Sequence, residues 1–125
     1  MPGAVLDTGA LIAVERGDRR MQALLDEAHA AGVELTIPAG ALAQSWRGTA
    51  RQVRLARLLR LDNVRVSPLD ESTAKAAGVL CGRAGTADVV DASVVITARL
   101  LAQAVLTSDP DDLRRLDGQL SLVTV

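Results

Sequence analysis

At 125 residues, 49% of them apolar, the chain is long enough to bury a core unaided and short enough to read as a single domain over residues 1–125. With no Phe or Tyr and one Trp, that core has to be aliphatic and alanine-rich, while 14 basic against 15 acidic residues exclude a general polyanion binder but allow a local basic face. Cys81 alone cannot form an internal disulfide, His29 alone cannot complete a Cys/His zinc site, and neither a leader nor an uncharged membrane-length run is seen, so a soluble, cytoplasmic protein without a membrane partner is expected.

In chain order, Ala4-Val5-Leu6 reads as a strand that delivers Asp7 and Thr8 to its C-terminal edge, where ligands collect in open parallel sheets. Gly9 to Val14 suits a short buried helix, so Asp7 has a structural role as its cap beside any chemical one; Thr8 can cap it or orient a metal-bound water. After Gly17-Asp18, Met21, Leu24, Leu25 and Ala28 repeat at helical spacing over residues 19–31, and Gly32 stops the run. Glu34 to Ile37 reads as the second strand. Pro38 then opens an element bearing Leu42, Ala43 and Trp46, with Gln44 and Arg47 off its apolar side; Trp46 is expected to pack that helix on the sheet, not to stack a base.

From Arg47 to Arg60 five arginines occur without an acid between them, and Val53, Leu55, Leu58 and Leu59 supply an apolar face. On a continuous helix Arg47, Arg51 and Arg54 share one side, which makes them candidates for RNA phosphates beside an acidic centre; a solvated amphipathic helix accounts for each arginine singly. Asn63 to Val66 reads as a third strand, and Asp70 as the cap of a helix running to about Leu80 or Cys81. Cys81 reads as a small buried residue, and residues 82–86 as a loop without a phosphate-cradling signature.

Asp88 and Asp91 stand three apart at the start of the strongly apolar run to Ile96, so they lie near one helical face. Enclosed carboxylates cost on the order of several kcal/mol unless donors or a cation compensate; Asp88 alone can cap the helix, and Asp91 is the better ligand candidate. Val105-Leu106-Thr107 reads as a strand ending at Ser108-Asp109, and Asp109-Pro110-Asp111-Asp112 has the grammar of a helix start with Asp109 as cap. Residues 120–125 finish the sheet. Alternating strands and helices predict a three-layer α/β domain with a mostly parallel sheet, and Asp7, Asp91 and Asp109, with Asp88 as an additional candidate, offer oxygen ligands matched to Mg2+ or Mn2+. Such a centre points to a metal-dependent nuclease acting on RNA.

The chain resembles PIN-domain ribonucleases, in particular VapC-type toxins of toxin–antitoxin pairs, through Val5-Leu6-Asp7-Thr8, Ala87-Asp88-Val89-Val90-Asp91-Ala92 and Val105-Leu106-Thr107-Ser108-Asp109, taken in order over nearly the whole length. The resemblance implies a five-stranded parallel sheet flanked by helices, a metal-dependent RNA-cleaving site, homodimerisation and inhibition by a cognate antitoxin. On the matching motifs it makes Asp7, Asp91 and Asp109 the catalytic and metal-site carboxylates, with Thr8 and Ser108 in support.

There is one departure: the acid common in the helix after the second strand is matched by Gln44, whose carbonyl can accept a bond but brings no charge. Two alternatives follow. A catalytically weak PIN-like module would bind protein or RNA without cleaving, whereas a receiver-like phosphoacceptor domain would need a lysine near the final strand, which this chain lacks.

Overall fold

A computed structural model describes residues 3–125; residues 1 and 2 of the expected domain lie outside the described residues. Strands β1 (Ala4–Leu6), β2 (Leu35–Pro38), β3 (Val64–Ser67), β4 (Ala104–Thr107) and β5 (Leu122–Thr124) form one sheet in the order β3-β2-β1-β4-β5, every pairing parallel. Helices α1 (Thr8–Arg16), α2 (Arg19–Ala31), α3 (Ala39–Ser45), α4 (Val53–Leu58), α5 (Glu71–Ala84), α6 (Val89–Leu101) and α7 (Pro110–Leu116) flank it, giving the expected three-layer α/β fold. Among the described residues no helix is long and apolar enough to cross a membrane.

The sheet's interior follows from its sequence. Val5, Leu6, Ile37 and Val105 are fully buried in the three inner strands, as are Thr36 and Thr107, because a parallel strand covered on both faces reads as a nearly continuous apolar run. Edge strands β3 and β5 are only partly covered. Leu11, Met21, Val94, Val95 and Leu113 bring the helices onto this sheet. No aromatic ring is needed.

Aspartates begin most of the longer helices. Asp7, Asp18, Asp70 and Asp88 accept backbone N–H groups of Ala10, Met21, Thr73 and Asp91 at 2.8, 2.8, 2.8 and 3.0 Å, filling donors that a helix start leaves open. Asp109 differs: it holds the N-cap position of α7, with Pro110 next, but its side chain makes no capping bond. The carboxylate expected to be occupied as a cap is therefore free for other partners.

Three expectations are corrected. The helix from Arg47 to Arg60 does not exist as one piece, since α3 stops at Ser45, Trp46 is extended, Gly48 turns in the left-handed region (φ 69°), and a 3-10 turn at Ala50–Gln52 precedes α4. Trp46 consequently does not pack on the sheet and is 40% exposed. Further on, α5 runs through residues 82–84, read above as loop, and ends at Gly85 with φ 71°.

Candidate active site

Strand order places the functional residues. The chain leaves β1 toward β2 on one side, whereas β4 joins β1 on the other, so the ends of β1 and β4 meet at the point where connections diverge and ligands collect. The Asp7 N–H continues the ladder by bonding the Leu106 carbonyl at 3.2 Å, which sets Asp7 beside the end of β4.

Asp7 is 4% exposed. Burial pushes its carboxyl above the ordinary range; the Thr107 hydroxyl and the Ala10 N–H draw it back down, and the nearby charge of Asp109 raises it again. Thr107, itself fully buried, also accepts the Asp109 N–H at 2.9 Å, so one hydroxyl links the two acids. Asp91 lies in the first turn of α6 and is pushed up to about 7, first by burial, then by the charge and hydrogen bonding of Asp88, then by the charges of Asp7 and Asp112. Asp112 is raised by its hydrogen bond with Asp109 and by that residue's charge, with Arg115 acting against the rise. Asp88, Asp91, Asp112, Thr86 and Arg115 wall a cavity of about 320 Å³. Five carboxyls thus share one electrostatic field.

That crowding has a measurable signature. Asp91's folded pKa, about 7, lies above its ordinary value of 3.8, so folding takes up a proton between these limits and stability falls as pH rises through the window. In chelator, melting curves should show a loss of about 1 kcal/mol from pH 5 to pH 8, after discounting for the carboxyl's partial contact with water. Asp91→Asn should flatten the slope. A wild-type profile without that slope would contradict the confinement of Asp91.

The supporting residues divide. Thr8 donates to Gln44 Oε1 at 2.7 Å, bringing Gln44 next to the acid end of β1. Ser108 instead sits over Gly9, where any Cβ would strike its hydroxyl, and lines a different cavity with Arg16 and Asp18. The three arginines separate as well. Arg47 and Arg51 join Arg16 and Gln44 around a cavity of about 480 Å³, while Arg54 covers Gly17 and reaches the Glu15 carbonyl at 3.4 Å, at the negative end of α1. Without a continuous helix through Gly48, Arg47, Arg51 and Arg54 have no common side to share. Thr107 and Asp112 were the members the sequence reading passed over; the signal for Asp112 was its position three residues after Asp109, which puts it on the same side of the helix start.

Among the described residues no three Asp, Glu, His or Cys side chains stand at the spacing of a closed metal site. The chemistry of the donors nevertheless fits Mg2+ or Mn2+: they are hard oxygens, and the acids raise one another's pKa, a penalty that a divalent cation relieves.

No curated protein matches the sequence. Among solved structures, a toxin–antitoxin complex from Klebsiella pneumoniae is similar at a TM-score of 0.73 and 20% identity, over 98% of this chain and 97% of that one. VapBC2 from Rickettsia felis, bound to a DNA fragment from its promoter, gives 0.73 and 15% over 98% of both chains. FitAcB from Neisseria gonorrhoeae gives 0.65 and 22%, over 97% and 96%. At these identities the likeness is one of fold. The PIN domain family model matches residues 4–119. Sheet order, the acid-lined edge and that match agree: the chain belongs to the PIN domain family.

Proposed function

We propose that this protein is a Mg2+- or Mn2+-dependent ribonuclease and the toxin of a toxin–antitoxin pair, acting in the cytoplasm under the control of a cognate antitoxin. What supports the reading is that Asp7 at the end of β1 is bonded to β4 at Leu106 and linked through Thr107 to Asp109, while Asp91 shares a cavity with Asp88 and Asp112 and feels the charge of Asp7. Asp7, Asp91 and Asp109 are the catalytic carboxylates and would hold the cation, with Asp88 as a further donor. A bound divalent ion supplies neutralisation of the phosphodiester's charge and activation of water. The chain's own residues do the rest. Thr107 keeps Asp7 and Asp109 in a fixed relation, Thr8 occupies the Gln44 carbonyl and so leaves that amide's N–H groups to donate, and Arg47 and Arg51 offer phosphate contacts. The antitoxin is supported by the fold shared with the toxin–antitoxin complex from Klebsiella pneumoniae, and a homodimeric state is part of the same proposal.

The test is cleavage of a mixed RNA pool by purified, partner-free protein in Mg2+, in Mn2+ and in chelator. Products that require the cation are expected. A second reading, a PIN-like binding module with little activity, is favoured by one observation: the neutral Gln44 stands where an acid would add charge to the site. If folded protein is inert in every condition while Gln44→Glu cleaves, that second reading replaces the first.

A further inference from the structure

Trp46 is the only Trp, Tyr or Phe in the chain, and the core is complete without it. The indole is 40% exposed. Its loop is rigidly held, because the Arg47 and Gly48 N–H groups both donate to the buried Gln52 side chain, at 2.7 and 3.0 Å. The Arg47 guanidinium is fixed in turn, donating to the carbonyls of Trp46 at 2.8 Å and Ala43 at 3.3 Å. Ser45 and Arg47, on either side of Trp46, line the cavity that also holds Gln44, Arg16 and Arg51. Glu15 is the acid of that wall, and its carboxylate is occupied by the Gln52 amide at 2.6 Å.

We propose that Trp46 is a stacking platform for a base of single-stranded RNA whose phosphates lie along Arg47, Arg51 and Arg16. The proposal rests on the ribonuclease reading for its ligand class. An indole offers a base its face whatever the sequence, and the arginines lining the cavity next to its loop would neutralise the backbone; a duplex hides its base faces and cannot use the platform. Three guanidinia around the adjoining hollow favour a polyanion over a protein partner.

The experiment uses the full chain carrying Asp7→Asn, so that RNA survives the titration. Emission at 295 nm excitation arises from Trp46 alone. A single-stranded RNA decamer of mixed sequence should quench it, while the matching duplex and inorganic phosphate leave it nearly unchanged. By anisotropy of the labelled decamer, Trp46→Ala should weaken binding about 10-fold and Trp46→Phe should recover part of the loss. Unquenched emission during tight RNA binding, or equal affinity of the Ala variant, overturns the proposal and leaves the ribonuclease reading intact if the wild type still cleaves. Loss of antitoxin capture with RNA affinity unchanged assigns Trp46 to a protein interface and also overturns it. Failure of both cleavage and RNA binding removes the ribonuclease reading and this proposal together.

Discussion

RNA cleavage by the Asp7→Asn protein is expected to fall ~100-fold or more, while its melting temperature in cation-free buffer stays level or rises. Changing groups that merely orient a metal ligand costs about 10–100-fold, and a donor carboxylate should reach at least the upper end. Stability moves the other way for two reasons. Asparagine retains an oxygen for the Ala10 N–H that Asp7 now accepts at 2.8 Å, so α1 keeps its cap. The substitution also removes a charge that burial and Asp109 both disfavour. Initial rates in saturating Mg2+ or Mn2+, paired with thermal melts in chelator, separate the two effects. Undiminished cleavage would remove Asp7 from the chemistry; a melting point that collapsed along with activity would make it only a cap.

The second large effect concerns Gln52, which is 2% exposed and uses every bonding direction of its amide. Its oxygen accepts from Arg47 and Gly48, and its nitrogen donates to the Ser45 carbonyl at 2.7 Å and to Glu15 at 2.6 Å. Gln52→Leu keeps a similar volume but strands two N–H groups and a carbonyl in the loop. The expected destabilisation is about 3 kcal/mol, or roughly a 10 °C fall in melting temperature. Trp46 emission should shift to the red as the loop loosens. An unchanged melting point would mean that water replaces the amide freely and that the loop does not depend on it.

Gln52 also explains where the sequence stops being readable. From Arg47 to Leu59 the arginines and leucines keep helical spacing, and nothing local except Gly48 opposes a helix. The break is stabilised by an amide reaching Glu15 on another helix, a contact of long sequence separation that periodicity cannot report. Where the determinants are local, reading succeeds. Asp18 and Gly32 bracket α2 because a capping carboxylate and a left-handed glycine act on their own turns. The inner strands announce themselves as uninterrupted apolar runs. Among the site residues, Asp7, Asp91 and Asp109 stood out because each follows or opens an apolar element. Thr107 did not, since a threonine in a strand is ordinary until a second strand places Asp7 within reach of its hydroxyl.

The pairing of Ala4 with Ala104 at the middle of the sheet bears on synthesis. Asp7 is made long before β4, which completes its surroundings, and closing so long a loop is slow. Translation proceeds at roughly 5–20 residues per second, so for several seconds the growing polypeptide carries Asp7 without Asp109. On the proposed ribonuclease reading, cutting waits until β4 has emerged and paired with β1, which leaves an interval for an inhibitor to be present before the first cut.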